Sequence, residues 1–263
     1  MKNQTEPALL TNTSDAAKMK PLSFIETSFI FLPPAVKGVQ IMPKVTEEYL
    51  ENKRRMITDA AYQVCLRKPV EMVTISDVIA ETGMSQGAIY RYYDGLDEIL
   101  ADMVTRMRAD YNIIDELEAI TSDKKATLEE LTFKVCDCLA EVMEHHLMDI
   151  QKINFDLGVI AINEPVRAAK IMAGIKGQGN LDYLMKKAFP SLMKGAAKLG
   201  YHPLCSAGDI GLFISASYTG IEKTCIMSAC YGTGVPDLKA EPKKLFGTLA
   251  RSIILLLGGK TND

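Results

Sequence analysis

The chain has 263 residues, enough for one large domain or two smaller ones with a proper buried core. Hydrophobic residues make up 48% and charged residues 24%, the balance of a soluble globular protein, and six Cys without a C-x-x-C pair exclude a disulfide framework and point to reduced thiols in a cytoplasm. The formal net charge of −3 gives a nucleic-acid binder no support from bulk charge, and no apolar run approaches the ~20 residues of a membrane span.

Residues 1–41 lack sustained periodicity and read as a disordered, dispensable extension. Lys18 and Lys20 before the apolar stretch Phe24–Val36 faintly suggest a signal peptide, but Glu26, Pro33 and Pro34 interrupt it and no small-residue cleavage site is clear. Met42 opens the segment MPKVTEEYLENKRR, which has the character of a natural protein start.

From Thr46 the pattern is helical. Tyr49, Met56, Ile57, Ala60, Ala61 and Val64 recur at three- and four-residue steps, and Pro69 ends the helix. Thr74-Ile-Ser-Asp77 reads as a capping box with Asp in place of Glu, opening a second helix that Gly83 closes. Ser85 caps a third helix, Gln86–Tyr92. Asp94 caps a fourth, striped by Leu96, Ile99, Leu100, Met103, Val104 and Met107.

Two short helices separated by Gly83-Met84-Ser85 form a helix-turn-helix at about 74–93. The second helix suits a major groove: Gln86 can pair with adenine, Ala88 can touch a thymine methyl, Gly87 lets the backbone come close, and tyrosine hydroxyls and N–H groups can hold phosphate. The plainer alternative is an ordinary helical hairpin.

The stretch Lys53–Leu100 resembles the TetR family of repressors, through the Arg55–Ala61 pattern, T-I-S-D-V-I-A-E-T-G, and S-Q-G-A-I-Y-R-Y-Y followed by D-E-I-L. The resemblance implies DNA contacts from Thr74, Ser85, Gln86, Gly87, Ala88, Tyr90, Arg91 and Tyr92; the local positive charge of Lys53, Arg54 and Arg55 on the first helix offers contacts to the DNA backbone. It departs from the family at Leu96, where members usually carry a phosphate-binding Lys, and at Arg67-Lys68-Pro69, where many carry Gly. Residues 42–112 hold nine Lys/Arg and twelve Asp/Glu, a balance of −3, so positive charge is local and few phosphate contacts are expected.

Beyond residue 113 the chain still reads as helix, in segments 126–149, 151–162, 165–174, 179–199, 207–230 and 242–257, with breaks at Pro165, Gly177, Gly179, Gly200, Pro203, Gly232, Gly234 and Pro236. The fold class is therefore all-α. A three-helix, helix-turn-helix DNA-binding domain over 42–112 precedes a helical ligand-binding and dimerisation bundle over 113–263. Small residues Gly208, Gly211, Ser215, Ala216, Ser217 and Gly220 would let a partner helix approach segment 207–230. Helix 242–257, with Leu245, Leu249, Ile253, Leu256 and Leu257, is its natural companion in a homodimer.

Met143, Phe155, Met172, Tyr183, Met185, Phe189 and Met193 are candidate lining for a small, largely apolar effector, against the simpler reading of plain core. Cys136, Cys138, His145 and His146 do not make a metal site, because neighbours on a helix diverge. Cys65, Cys225 and Cys230 are candidate oxidant sensors, with buried packing the default. His202 falls in an inter-helix break. No nucleophile elbow, phosphate loop or H-E-x-x-H occurs, so no catalytic residues, metal or cofactor are expected.

The function expected is a ligand-responsive repressor that binds a near-palindromic operator in double-stranded DNA as a homodimer and is released by a small molecule, with no membrane partner. The alternatives are an activator or redox-controlled regulator with the same head, and a helical binding protein or enzyme that does not touch DNA.

Overall fold

A computed structural model of the protein describes residues 46–231 and 240–260, and among these there is helix and no strand. The expectations for residues 1–41, Met42 and the break at Gly232–Pro236 lie outside the described residues.

Helix α1, Glu47–Arg67, starts where the Thr46 side chain accepts the Tyr49 N–H (3.2 Å) and two acids sit in the first turn. It stops before Pro69, and a 3-10 turn, Val70–Met72, follows. Its core face is Ile57, Ala60, Ala61, Val64 and Cys65. Tyr49 and Met56, expected on that face, are exposed instead; Met56 precedes fully buried Ile57 and so points off the core face.

Helix α2, Ile75–Thr82, carries the predicted capping box in full. Asp77 N–H donates to Thr74 Oγ1, and the Asp77 carboxylate takes the Thr74 N–H. Gly83 ends it at φ 66°, a left-handed conformation that needs no β-carbon. Helix α3, Gln86–Ile89, is shorter than expected and continues as turns to Tyr92. Helix α4, Leu96–Asp110, is capped differently from expectation: Gly95 is its N-cap, and the Glu98 side chain reaches back to the Asp94 N–H (2.7 Å).

The core built on α1–α4 does not close on itself. Helix α7, Lys152–Asn163, adds Ile153 and Ile160, and the preceding wide turn adds Ile150; helix α8, Pro165–Gly174, adds Ala168 and Ile171. A β-carbon on Gly174 would lie 2.9 Å from the Ala101 β-carbon, so α8 and α4 touch nearly backbone to backbone.

The second core joins α5 (Ile114–Thr121), α6 (Leu128–His145), α9 (Asn180–Tyr183), α10 (Phe189–Lys198), α11 (Ala207–Tyr231) and α12 (Pro242–Leu256). Two expected helices are broken. Segment 126–149 stops at His145 and passes through a π turn, Leu147–Gln151. Segment 179–199 is split by a π turn, Leu184–Ala188, just ahead of Pro190, which has no N–H to continue the regular ladder. Helix α12 packs most extensively on α6, with Leu249, Ile253 and Leu257 buried in the core of their own subunit. Gly211 also turns inward, against Met185 and Phe189, rather than outward to a partner helix.

Candidate nucleic-acid interface and body cavity

Helix α3 is held from beneath. Val78 and Ile89 are fully buried, and Tyr93 is buried beside them. The Tyr93 hydroxyl donates to Asp102 on α4, with the Arg54 carbonyl 3.4 Å away, and the Arg54 guanidinium lies 5.0 Å from the Tyr93 ring centre. Arg106 extends the network, reaching Asp102 (3.2 Å) and Glu51 on α1 (2.6 Å); its Nε is buried and unpartnered among the described residues. Burial and the Asp102 carboxylate together push the Tyr93 phenol well above its ordinary range.

Above this frame, Thr74, Ser85, Gln86, Gly87, Tyr90 and Arg91 are exposed, while Ala88 and Tyr92 are half-buried. The eight expected contact residues thus fall in two groups. Tyr92 packs partly against the head core. Thr74 spends both its donors on one carboxylate: its N–H (2.8 Å) and hydroxyl (2.7 Å) go to Asp77 Oδ2. Lys68 donates to the same oxygen (2.8 Å), and these bonds, Lys68 first, hold the Asp77 carboxyl at about 2. Ser85 accepts the Ala88 N–H (3.3 Å) and keeps its own hydroxyl proton to give.

The positive charge on the head is sparse for a structural reason. Arg67 pairs with Glu81, Lys68 with Asp77 and Arg106 with two acids. Arg54 leans on Tyr93, and Arg108 donates to the Gly177 carbonyl (3.2 Å). Lys53, 5.7 Å from the Tyr49 ring centre, Arg55 and Arg91 make no ion pair among the described residues. Leu96 is half-buried against the head core, so that position faces packing.

The body holds an apolar cavity of about 250 Å³ bounded by α6, the 181–195 segment, α11 and α12. Of the seven expected lining residues, Met185 and Phe189 line it. Met143 and Tyr183 are buried in the second core and Met193 packs beside them, away from the cavity. Phe155 lies on α7 and Met172 on α8, elements that serve the head core; Met172 is 55% exposed. Sequence reading missed the larger part of the wall, including Leu131, Val135 and Leu192, because aliphatic side chains carry no signal that separates cavity from core. The wall hydroxyls are already engaged. Thr132 donates to the Leu128 carbonyl (2.8 Å), Thr121 to Leu117 (2.7 Å) and Ser191 to Lys187 (3.0 Å).

Cys65, Cys136, Cys138 and Cys225 are buried, and burial pushes the first three thiols up to about 12, while Cys205 and Cys230 are exposed. Among the described residues no cluster of three or more metal-ligating side chains occurs, and no helix is long and apolar enough to cross a membrane.

Residues 57–103 match a family model described as bacterial regulatory proteins, tetR family. The chain is similar to YfiR of Bacillus subtilis strain 168, described as an uncharacterized HTH-type transcriptional regulator, with 31% identity over 113 residues, 40% of this chain and 55% of the relative. It thus spans about half the length of that curated relative. Among solved structures it resembles a protein of Mesorhizobium loti MAFF303099 described as a tetR-family transcriptional regulator, with a TM-score of 0.54 and 14% identity over 80% of this chain and 98% of that one. It also resembles the fatty acid degradation regulator FadR of Bacillus halodurans, with a TM-score of 0.54 and 16% identity over 80% and 97%. At these identities the two structures speak for the fold alone.

Proposed function

We propose that the chain, whose residues 57–103 match the model of bacterial regulatory proteins of the tetR family, binds an operator in double-stranded DNA as a homodimer and represses transcription until a small, largely apolar effector releases it. In this reading residues 42–112 are the DNA-binding domain and 113–263 the effector and dimerisation domain.

The observation that carries the reading is the contrast around α3. Gln86, on the four-residue helix α3, and Tyr90 and Arg91, in the turns that follow it, are exposed above an underside locked by Val78, Ile89 and Tyr93. A short, rigid helix with outward donors is what base and phosphate contact requires. Gln86 reads a base, Ala88 and Gly87 allow close approach, and Ser85, Tyr90 and Arg91 hold phosphates. Thr74 acts through the cap of α2, since its donors are already committed. Arg55 and Lys53 are the cations on α1 left to meet the backbone, and Arg54 and Tyr92 support the frame.

One short recognition helix reads few bases, so two heads in two-fold symmetry are needed for a useful site. The surface for this is apolar and outward: Leu212, 71% exposed, with Phe213 and Met227 on α11, and Leu255 on α12. The cavity supports an apolar effector, because its wall is aliphatic and its hydroxyl protons are engaged. The effector must prefer the state that does not bind DNA, since equal affinity for both states shifts nothing.

Fluorescence anisotropy against DNA upstream of the protein's own gene, together with sedimentation, tests this. Tight binding to a near-palindrome by a dimer is expected. Tight binding by a monomer, or no preference over unrelated DNA, would overturn it.

A further inference from the structure

A second cavity, of about 280 Å³, abuts the apolar one, and Leu139, Leu181 and Tyr218 line both. The second is polar. Glu222, from α11, projects into it together with Gln151, Asn154, Arg108 and Asp182. Val104, Met107 and Tyr111 of α4 form another wall, so this chamber touches the helix that leads out of the head.

Glu222 is 8% exposed, and no hydrogen bond or ion pair reaches its carboxyl among the described residues. Burial alone pushes its pKa up to about 7, which is what an uncompensated carboxyl does. The other groups facing the chamber are accounted for. Asp182 pairs with Lys186 (2.7 Å) and Arg108 donates to the Gly177 carbonyl. Tyr111 stands edge-on to His146, with ring centres 4.8 Å apart, and Tyr218 donates to Gln151 (3.4 Å). Asn154 and Gln151 are neutral. Asp182 has Lys186 and Arg108 has a backbone carbonyl, so Glu222 is the acid of this chamber that no cation pairs with among the described residues, set one side chain away from an aliphatic pocket.

We propose that the effector is an amphipathic cation, with its apolar chain in the first cavity and a protonated amine bonded to Glu222 in the second, the two joined past Leu139, Leu181 and Tyr218. This rests on the reading of the body as an effector-binding domain and narrows it to a head-group chemistry. A carboxylate head would meet like charge, and an alcohol would leave the ionised carboxyl without a counter-charge.

Three probes of equal chain length separate the head groups: decylamine, decanol and decanoate, titrated calorimetrically into the full chain below their micellar concentrations near pH 8. Decylamine is expected to bind at least about tenfold tighter than the other two, as a charge-assisted bond in a dry site implies. In Glu222→Gln that preference should fall to within about twofold while decanol binding is kept, which also reports that the variant is folded; Glu222→Leu should behave likewise. The wild-type affinity for decylamine should rise with pH through neutrality, since an alkylamine stays protonated there while Glu222 ionises. Val135→Phe, in the wall of the first cavity, should weaken all three probes. Equal affinity for the three, a tighter decanoate, or a preference that survives in Glu222→Gln overturns the head-group assignment and leaves the apolar cavity as an effector site. Failure of all three to bind overturns the effector reading of the cavity itself.

Discussion

The two cores of this protein are built to opposite specifications. Beneath the head, every turn is fastened. Tyr93, Asp102, Arg106 and Glu51 tie α3, α4 and α1 together, Thr74 and Asp77 close the start of α2, and Lys68 braces that cap. The body instead contains the π turn at Leu184–Ala188, an aliphatic cavity and an acid without a counter-charge. Under the proposed function, the head surface would need one geometry to read DNA, whereas a compartment for a guest would need space and polar groups left to satisfy.

Truncating a side chain in each region breaks or sharpens this contrast most directly. Ile89→Ala, beneath α3, should cost about 3 kcal/mol, because a packed core cannot collapse around the lost atoms. Leu192→Ala, which faces the existing cavity, should cost about 1 kcal/mol or less, since its neighbours already border open space. Chemical denaturation of both variants gives the comparison, and equal losses would mean that the body is as tightly packed as the head.

Glu222→Gln tests the other side of the contrast. The folded pKa is raised from 4.5 to about 7, so the neutral form favours the fold. Wild-type stability should be full below pH 4.5, fall as pH rises through 7, and level off above. The glutamine variant lacks that fall. Its advantage should be near zero at about pH 4 and approach ~3 kcal/mol near pH 8, an upper bound from a shift of 2.5 units at 1.36 kcal/mol each. A constant difference across pH would show that Glu222 has a partner.

On the head surface, Gln86→Ala should cost about 1–3 kcal/mol of operator binding and relax one base position. Arg91→Ala should weaken all sequences alike and flatten the salt dependence. Equal, sequence-independent losses from both would remove Gln86 from base reading. On the head, the smallest effect belongs to the cap: Thr74→Ala should cost about 1 kcal/mol of stability, seen as a lower melting temperature. The same cap makes the head acid-sensitive. The Asp77 carboxyl is depressed to about 2, so its contribution is present above 3.8 and is lost as pH falls toward 2.

The head was legible because its signals are local. Thr74 with Asp77, Gly83, and Ser85 before a short apolar run each dictate one backbone event within four residues, and the structure follows them. The body was legible only as helix. Met172 and Phe155 looked like pocket residues by chemistry, yet α7 and α8 turn toward the head, and no residue on those helices announces that destination. Helix α5 went unread because eight residues give too few turns for a periodic pattern. The stripe on α12 was visible, but whether it faces a partner or its own core depends on α6. Leu96 was visible as a departure, but that it packs inward is a tertiary fact.

Helix α7 also finishes the head chemically. Lys152 donates to the Cys65 carbonyl (3.2 Å) near the end of α1, and Asp156 takes the Val70 N–H (3.2 Å), while Ile153, Ile160 and Ile171 fill the floor. The unit that could be grafted onto another protein of this fold is therefore not a continuous stretch of sequence. A chimaera joined just after α4 would carry the reading surface but leave its foundations in the donor. One that also imports residues 150–174 would bring them along, together with the glycine that lets α8 lie on α4. Exchange of heads between proteins of this build is thus constrained less by the exposed face of α3 than by what lies behind it.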